Sequence, residues 1–375
     1  MATSTPIPTK ALWEIEWDAT VEAANAEGEV TVAIFRVDDR VAIEKFTDFF
    51  PQIKVNALVA GGGGSWSRRV APERSAGIYS TDVYLTGSTS AIRIIQGGRT
   101  SADPLLGDTR SILIRPDILE DSNWIGGFEA QWISTDRKHL FKLIANGGDS
   151  AIWVNTNEVD IATLKTPQDL LRPEFIGRIS SDDPSNPGSG ATFFTELLVT
   201  NGEALTRQIL GNLQISEDGR QLATDVINGN KWISVGPAMD DFLVEGIGRH
   251  VVQLPLQLGG IAPEFADKIR ITCCGENDGT VAGFYSAGIG GPALVANPPH
   301  PNAAKIFINW LLSTDGSRAW FEANPRDCSP RHDLQDICTN HPKLEEGKGY
   351  VTFQDEGNVP FRRAAQDVAA DVFGN

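Results

Sequence analysis

Apolar residues recur at helical spacing through ALWEIEWDATVEAANAEG, Ala11 to Gly28, and then give way to a continuous apolar run, EVTVAIF, Glu29 to Phe35. The first pattern predicts an amphipathic helix stopped near Gly28, the second a buried strand. The alternation repeats as a helix over Val41 to Phe50 stopped by Pro51, a strand in QIKVNALVA, a helix from Ser67 to Ala76 behind Gly61 to Gly64, and a strand in TDVYLTG. Strand–helix–strand–helix–strand order opens a doubly wound, mostly parallel sheet. Around Gly126 to Phe128 the pattern turns strand-rich, and IRITCC reads as a further strand. Late in the chain, prolines hold Asn297 to Pro301 extended. Asn302 then reads as the N-cap of a helix over Ala303 to Leu312, and Gly316 as its stop. Ile306, Phe307, Trp310 and Leu311 share one face of it, which predicts packing on a sheet. The end of the chain reads as a helical tail.

Composition narrows this picture. A chain of 375 residues exceeds one small core and fits two lobes. The formal net charge of −17 argues against nucleic acid or an anionic membrane as a partner, although a local pocket can oppose the global sign. No apolar run is long enough to cross a membrane as a helix. The start, MATSTPIPTK, is polar and proline-containing, so residues 1–12 are expected as a flexible tail without a signal sequence. Of four cysteines, Cys328 and Cys338 flank a polar loop, CSPRHDLQDIC, and are expected to form a disulfide, as an oxidising compartment permits. Cys273 and Cys274 are adjacent and read as two buried small side chains. No zinc-ligand spacing, GxSxG or HExxH occurs, so neither a cofactor nor a metal is implied.

The segment NPPHPNAAKIFINWLLSTDGSRAWF, with AEGEVTVAIF, FFPQIKVNAL, RRVAPERSAGIYSTDVYLTG, DLLRPEFIGRI and CSPRHDL, resembles the bacterial extracellular solute-binding proteins of ABC importers, of the ferric-iron-binding-like family. The resemblance runs over residues 13 to 335. It implies a two-lobed α/β periplasmic-binding fold of type II, with 13–125 plus 283–327 as lobe one and 126–282 plus 328–375 as lobe two. A ligand cleft would lie between the lobes. It further implies a periplasmic or extracellular monomer that binds a small-molecule solute and hands it to ABC permease subunits, with no enzymatic activity.

Several residue groups could carry the ligand. In GGGGSWSRR, glycines before a helix can aim N–H groups at an anion; Gly64, Ser65 and Trp66 are the candidates, against a plain turn with Trp66 in the core. In PGSGATFF, which the family uses for ligand or synergistic anion, the candidates are Gly188, Ser189, Gly190, Ala191 and Thr192, against a simple helix start. Arg36 follows the first strand and suits capture of a carboxylate or phosphate, unless Asp38 or Asp39 neutralises it. Ser88 and Thr89 form a weaker set of the same kind. Family iron binders use two adjacent tyrosines. Here Tyr79, Tyr84, Tyr285 and Tyr350 are all separate, so a small organic anion is expected in preference to ferric iron with a synergistic anion. An enzyme using Cys273 and Cys274 on the same fold is the remaining alternative.

Overall fold

The computed structural model describes residues 10–60, 62–148, 151–236, 248–276, 278 and 280–374. Residues 1–9 of the tail expected over 1–12, and Gly61 of the glycine run, lie outside these, and Leu12 already opens a helix. The chain forms two compact units, residues 1–145 with 287–343 and residues 146–286 with 344–375. These boundaries differ from those expected from the resemblance, for a physical reason. Phe128, Trp132, Phe141, Leu143 and Ile144 bury themselves in the core of the first unit, which therefore keeps the chain up to residue 145. Likewise 328–343 belongs to the first unit, because Arg331 is bound into it.

Elements are numbered along the whole chain. The first unit begins with α1 (Leu12–Glu27), β1 (Glu29–Ile34), α2 (Asp39–Glu44), α3 (Phe46–Phe49) and β2 (Lys54–Val59). It continues with α4 (Gly63–Ser75), β3 (Val83–Leu85), α5 (Ser88–Gly98) and α6 (Pro116–Leu119), and regains β11 (Ala293–Leu294), α10 (Pro301–Leu312) and α11 (Thr314–Ala323) from the returning chain. Its sheet has the order β11-β3-β1-β2. The first three sequential strands are parallel and β11 is antiparallel. Val30, Val32 and Ile34 of β1 meet Phe46, Phe307 and Trp310 in the core.

Four expectations shift here. The helix expected over Val41 to Phe50 is two short helices broken at Lys45. The helix expected from Ser67 begins at Gly63, so Gly64, Ser65 and Trp66 lie in its first turn. Asn302 is not the N-cap of α10. His300 holds that position, and the Glu27 carboxylate at the end of α1 accepts from the Asn302 and Ala303 amides at 3.2 and 2.7 Å, supplying an external cap. Gly316 does not stop α10 either. Ser313 caps α11 by accepting from the Gly316 amide at 3.3 Å, and a Cβ at Gly316 would overlap the Trp310 carbonyl.

The second unit contains β4 (Asn146–Gly147), β5 (Ala151–Asn155), β6 (Ile179–Ser181), α7 (Ser189–Leu210), β7 (Leu213–Ile215), α8 (Gly219–Ile227), β8 (Ile233–Val235), β9 (Val251–Pro255), α9 (Pro263–Ala266) and β10 (Gly283–Ser286). After the last crossing come β12 (Tyr350–Val351) and α12 (Val359–Phe373), the expected helical tail, which packs along α7. The main sheet has the order β7-β6-β8-β5-β9, and β12-β10-β4 form a small second sheet. The parallel run β7-β6-β8 beside antiparallel β5 repeats the plan β2-β1-β3 beside antiparallel β11.

The DLLRPEFIGRI phrase is held by Asp169, which accepts from the Lys165 and Thr166 amides at 2.8 and 2.9 Å and from Arg172 at 2.6 Å. Burial works to raise its carboxyl pKa, but the amides of Thr166 and Lys165 and the Arg172 guanidinium outweigh it and hold the value down at about 2. A carboxylate depressed in this way stabilises the fold above its ordinary value near 4 and ceases to do so as pH falls towards about 2. Denaturant unfolding followed across that window should therefore show a steeper acid loss in the native protein than in Asp169→Asn. Equal slopes would exclude the contribution.

Cys328 and Cys338 form the expected disulfide. Cys273 and Cys274, expected as separate buried side chains, are joined to one another. Cys274 takes a left-handed φ of 76°, and the Gly275 amide donates to the Cys273 carbonyl at 2.9 Å, a tight turn that brings the two sulfurs together.

Candidate functional site

In the first unit the strand order reverses about β1, so the carboxyl ends of β1 and β3 flank a topological switch point, where open α/β sheets bind ligands. Arg36, Gly64, Ser65, Trp66, Ser88 and Thr89 all follow the carboxyl ends of β1, β2 and β3. They do not share one role.

Arg36 is neutralised locally. Its Nε donates to Asp39 at 3.2 Å and its Nη2 to Asp327 at 3.1 Å, while its amide donates to the same Asp39 at 2.9 Å. Asp39 is fully buried. Burial pushes the Asp39 carboxyl up, against the opposing pull of Arg36. Burial also disfavours the Arg36 charge, but Asp327 and Asp39 outweigh it. The guanidinium is thus occupied by internal carboxylates, the local pairing that its neighbours in the sequence allowed.

Trp66 is also not a ligand platform. It is buried, edge-on to Tyr84 with ring centroids 5.0 Å apart, and its indole N–H reaches Thr81 Oγ1 at 3.4 Å. Packed this way, the ring anchors the first turn of α4 against β3.

That packing brings two helix N-termini together. Gly63, the first residue of α4, lies so close to Tyr84 and Ser90 that a Cβ would overlap the Tyr84 hydroxyl. Tyr84, in the middle of β3, donates to the Gly87 carbonyl at 2.9 Å, and Gly87 precedes α5. The N-cap positions are glycines, Gly62 and Gly87, and among the described residues no side chain caps either helix. Their first N–H groups therefore lack the partner that a capping side chain supplies. Ser65 is exposed, whereas Gly64, Gly87 and Thr89 are half-buried. Ser88 is buried and donates to the Gly288 carbonyl at 3.3 Å, so its hydroxyl is structural.

The second unit treats the matching positions differently. At α7 the Asp182 carboxylate lies under the helix start, accepting from the Gly190 amide and from Ser189 Oγ at 3.3 Å. Cβ atoms at Gly188 or Gly190 would overlap that carboxylate, so both glycines exist to admit it. Burial pushes the Asp182 carboxyl up while these donors oppose the shift. Thr192 turns its hydroxyl back to the Gly188 carbonyl at 3.3 Å, and Ala191 is buried. At α8, Asp218 accepts from the Arg220 and Gln221 amides at 2.9 and 3.2 Å. The starts of α7 and α8 are therefore satisfied by the protein's own carboxylates.

Ser90, Asp182 and Asp327 escaped the sequence reading, and Tyr84 entered it only as one of four isolated tyrosines. The Asp182 signal was present in SSDDPSNPGSG, where an acidic residue precedes a glycine turn by a few positions. Asp327 carried none, because its partner Arg36 is remote in the chain. Burial pushes the Tyr84 and Tyr285 phenols above their ordinary range, which keeps both as neutral donors, Tyr285 to the Thr272 carbonyl at 3.4 Å. Among the described residues no group of three or more His, Cys, Asp and Glu side chains is placed to hold a metal.

No protein-family pattern matches this sequence, and no curated protein does. Solved structures do match. A Trichodesmium protein (IdiA, FutA) in complex with iron and citrate superposes with a TM-score of 0.63 at 15% identity, over 92% of this chain and 99% of that one. The fold is that of periplasmic ferric-ion-binding proteins. The apo ferric-ion-binding protein A of Pasteurella haemolytica gives a TM-score of 0.62 at 16% identity over 92% and 98% of the two chains. The periplasmic binding protein AfuA of Actinobacillus pleuropneumoniae, with exogenous fructose-6-phosphate bound, gives 0.54 at 15% over 92% and 97%. At such identities the ferric-ion-binding scaffold is shared, and the ligand groups must be read from this chain's own residues.

Proposed function

We propose that this protein is the solute-binding component of an ABC importer, acting in the periplasm or outside the cell, and that its solute is a small organic anion, a carboxylate or a phosphate or phosphonate compound. One observation carries the reading: α4 and α5 present uncapped N-termini side by side at the carboxyl ends of β2 and β3, whereas α7 and α8 are capped by Asp182 and Asp218. Converging N–H groups and aligned helix dipoles favour an anion by about 0.3–2 kcal/mol per helix. Gly64, Ser65 and Thr89 supply reachable positions around that point. The fold supports the transport role: one similar protein holds iron with citrate and another a sugar phosphate, so the scaffold accommodates anionic ligands in those proteins. Membrane permease subunits are the partners such a role requires, and no catalytic step is needed for it.

Ser65→Asp separates this reading from a purely structural role. An aspartate in the first turn of α4 favours the helix dipole and should leave thermal stability unchanged or slightly raised. The same charge repels an incoming anion and should weaken its binding about tenfold or more in calorimetry, a coupling of at least ~1.4 kcal/mol. Anion affinity equal to wild type in this variant would remove the site from α4. Stabilisation of the native protein by ferric ion alone would instead favour the iron reading, in which Tyr84 would have to ionise against its burial.

A further inference from the structure

The Cys273–Cys274 disulfide lies in the second unit. Cys273 is buried at 3% exposure, whereas Cys274 is half-buried and faces a cavity of about 630 Å³. That cavity is lined by Glu276, Asp278, Thr280, Gly347, Lys348 and Gly349 among others. Lys348 is paired with Glu345 at 2.7 Å, so the two exposed carboxylates leave the cavity with negative character. The other disulfide is different: Cys328 and Cys338 are both buried, at 3% and 5% exposure.

The backbone around the pair is tightly arranged. The Cys274 carbonyl accepts from the Gly347 amide at 2.9 Å, and Cys273 exchanges bonds with Tyr350, accepting at 3.1 Å and donating at 3.3 Å. A Cβ on Gly275 would overlap Gly349, and one on Gly349 would overlap the Thr280 carbonyl. Cys274 holds its φ of 76°, unusual for a residue with a side chain, within the small ring that the vicinal disulfide closes. The segment it anchors supplies β12, whose sheet with β10 and β4 lies next to the points where the chain enters and leaves the unit.

We propose that Cys273–Cys274 is a thiol-exchange site, opened through the cavity by a small uncharged or cationic thiol while Cys328–Cys338 stays closed. A thiolate attacks the reachable Cys274 sulfur, the bond to Cys273 breaks, and its electron pair leaves on the Cys273 sulfur, which takes a proton. A second thiolate attacks the external sulfur of the mixed disulfide. Cys274 departs as a thiolate and is protonated, and the two external thiols leave as one disulfide. The protein gains two electrons and the thiols lose two. Glu276 and Asp278 repel most strongly a thiolate that carries a further negative charge, which sets the thiol class. Once the ring is open, Cys274 is free to leave its left-handed conformation, and the Gly347 and Tyr350 amides lose the acceptors it holds in place.

The test treats the folded full-length protein with graded mercaptoethylamine, mercaptoethanol or mercaptoethanesulfonate, quenches with iodoacetamide and maps peptides by mass. Cys273 and Cys274 should both be alkylated at thiol concentrations that leave Cys328–Cys338 intact. Per thiolate, the cationic reagent should outpace the anionic one about threefold or more at low salt, and the gap should close at high salt. Amide exchange at Gly347 and Tyr350 should rise about tenfold on reduction. The double variant Cys273→Ser, Cys274→Ser should show that rise with no thiol present. Equal opening of both disulfides, opening only on global unfolding, a faster anionic thiol, or a double variant with native exchange at Gly347 and Tyr350 would each overturn the proposal.

Discussion

Gly63→Val lowers the thermal midpoint by about 2–12 °C, the span expected from 1–3 kcal/mol of overpacking in a unit of this size, and abolishes anion binding. The backbone at Gly63 is helical and tolerates any side chain, so the whole effect arises from space. Its Cβ would overlap the Tyr84 hydroxyl and press on Ser90, and both lie on the elements that carry the α5 start. Either α4 moves away from α5 or Tyr84 leaves its bond to Gly87. Both outcomes dismantle the paired N-termini. Gly64→Ala is the control, because its Cβ would meet only Arg68 Nη1 at 3.6 Å and should leave stability and binding near the native values. Differential scanning fluorimetry with and without ligand reads both quantities. A Gly63→Val protein with native stability would contradict the packing described.

The second large effect falls on Arg331. Its guanidinium is fully buried, donates to both oxygens of Asp333 at 2.9 Å, to Thr314 Oγ1 at 2.7 Å and to the Leu312 carbonyl at 2.9 Å, and lies 4.8 Å from the centre of the Trp124 ring. Arg331→Met removes the cation, leaves the Leu312 and Asp117 carbonyls without this donor and leaves Asp333 with Thr314 alone, at a cost of about 2–5 kcal/mol. Arg331→Lys keeps the charge but cannot span these acceptors at once, so it should recover only a minor part. Urea unfolding should show the loss as a shift of the midpoint. A loss below about 1 kcal/mol, the size of an exposed ion pair, would show that the network is not coupled.

Arg331 also shows how far the sequence could be read. The phrase CSPRHDL resembled a family marker, and its physical content is now visible. Ser329 Oγ accepts from the Arg331 amide at 3.1 Å, Arg331 grips Asp333, and Cys328–Cys338 closes the loop that holds them. Short-range pattern located such phrases and the strand–helix alternation from Leu12 to Gly98, because propensity and periodicity act over a few residues. It failed where a distant group decides. Glu27 caps α10 from far away in the sequence, and the helix starts at Pro301 where the local pattern put it at Ala303. Phe141 and Trp132 pull the chain up to residue 145 into the first core, which moved the expected lobe boundary.

At the candidate site the same division holds. Gly64 and Ser65 were legible as residues leading into a helix, and Ser88 and Thr89 as residues after a strand, and the structure sets the starts of α4 and α5 side by side. Trp66 and Arg36 looked equally suitable in the sequence, but Tyr84 claims the first and Asp39 with Asp327 the second. The glycines of PGSGATFF invited an anion, and an anion is there, although it is the chain's own Asp182. Glycine turns before helices report that a negative group is welcome. They do not report whether the protein has already provided one.

The central claim, an anion held at the starts of α4 and α5, is tested most directly by calorimetric titration of the native protein and Ser65→Asp with small carboxylates, phosphate monoesters and phosphonates, alongside ferric ion and neutral sugars. The account predicts that at least one anion binds the native protein and that, at a hundredfold excess over its dissociation constant, it stabilises the fold by about 2.7 kcal/mol. It also predicts that Ser65→Asp weakens that anion about tenfold or more, a loss of at least ~1.4 kcal/mol. Binding confined to ferric ion or neutral sugars, or anion binding that Ser65→Asp leaves unchanged, would contradict it.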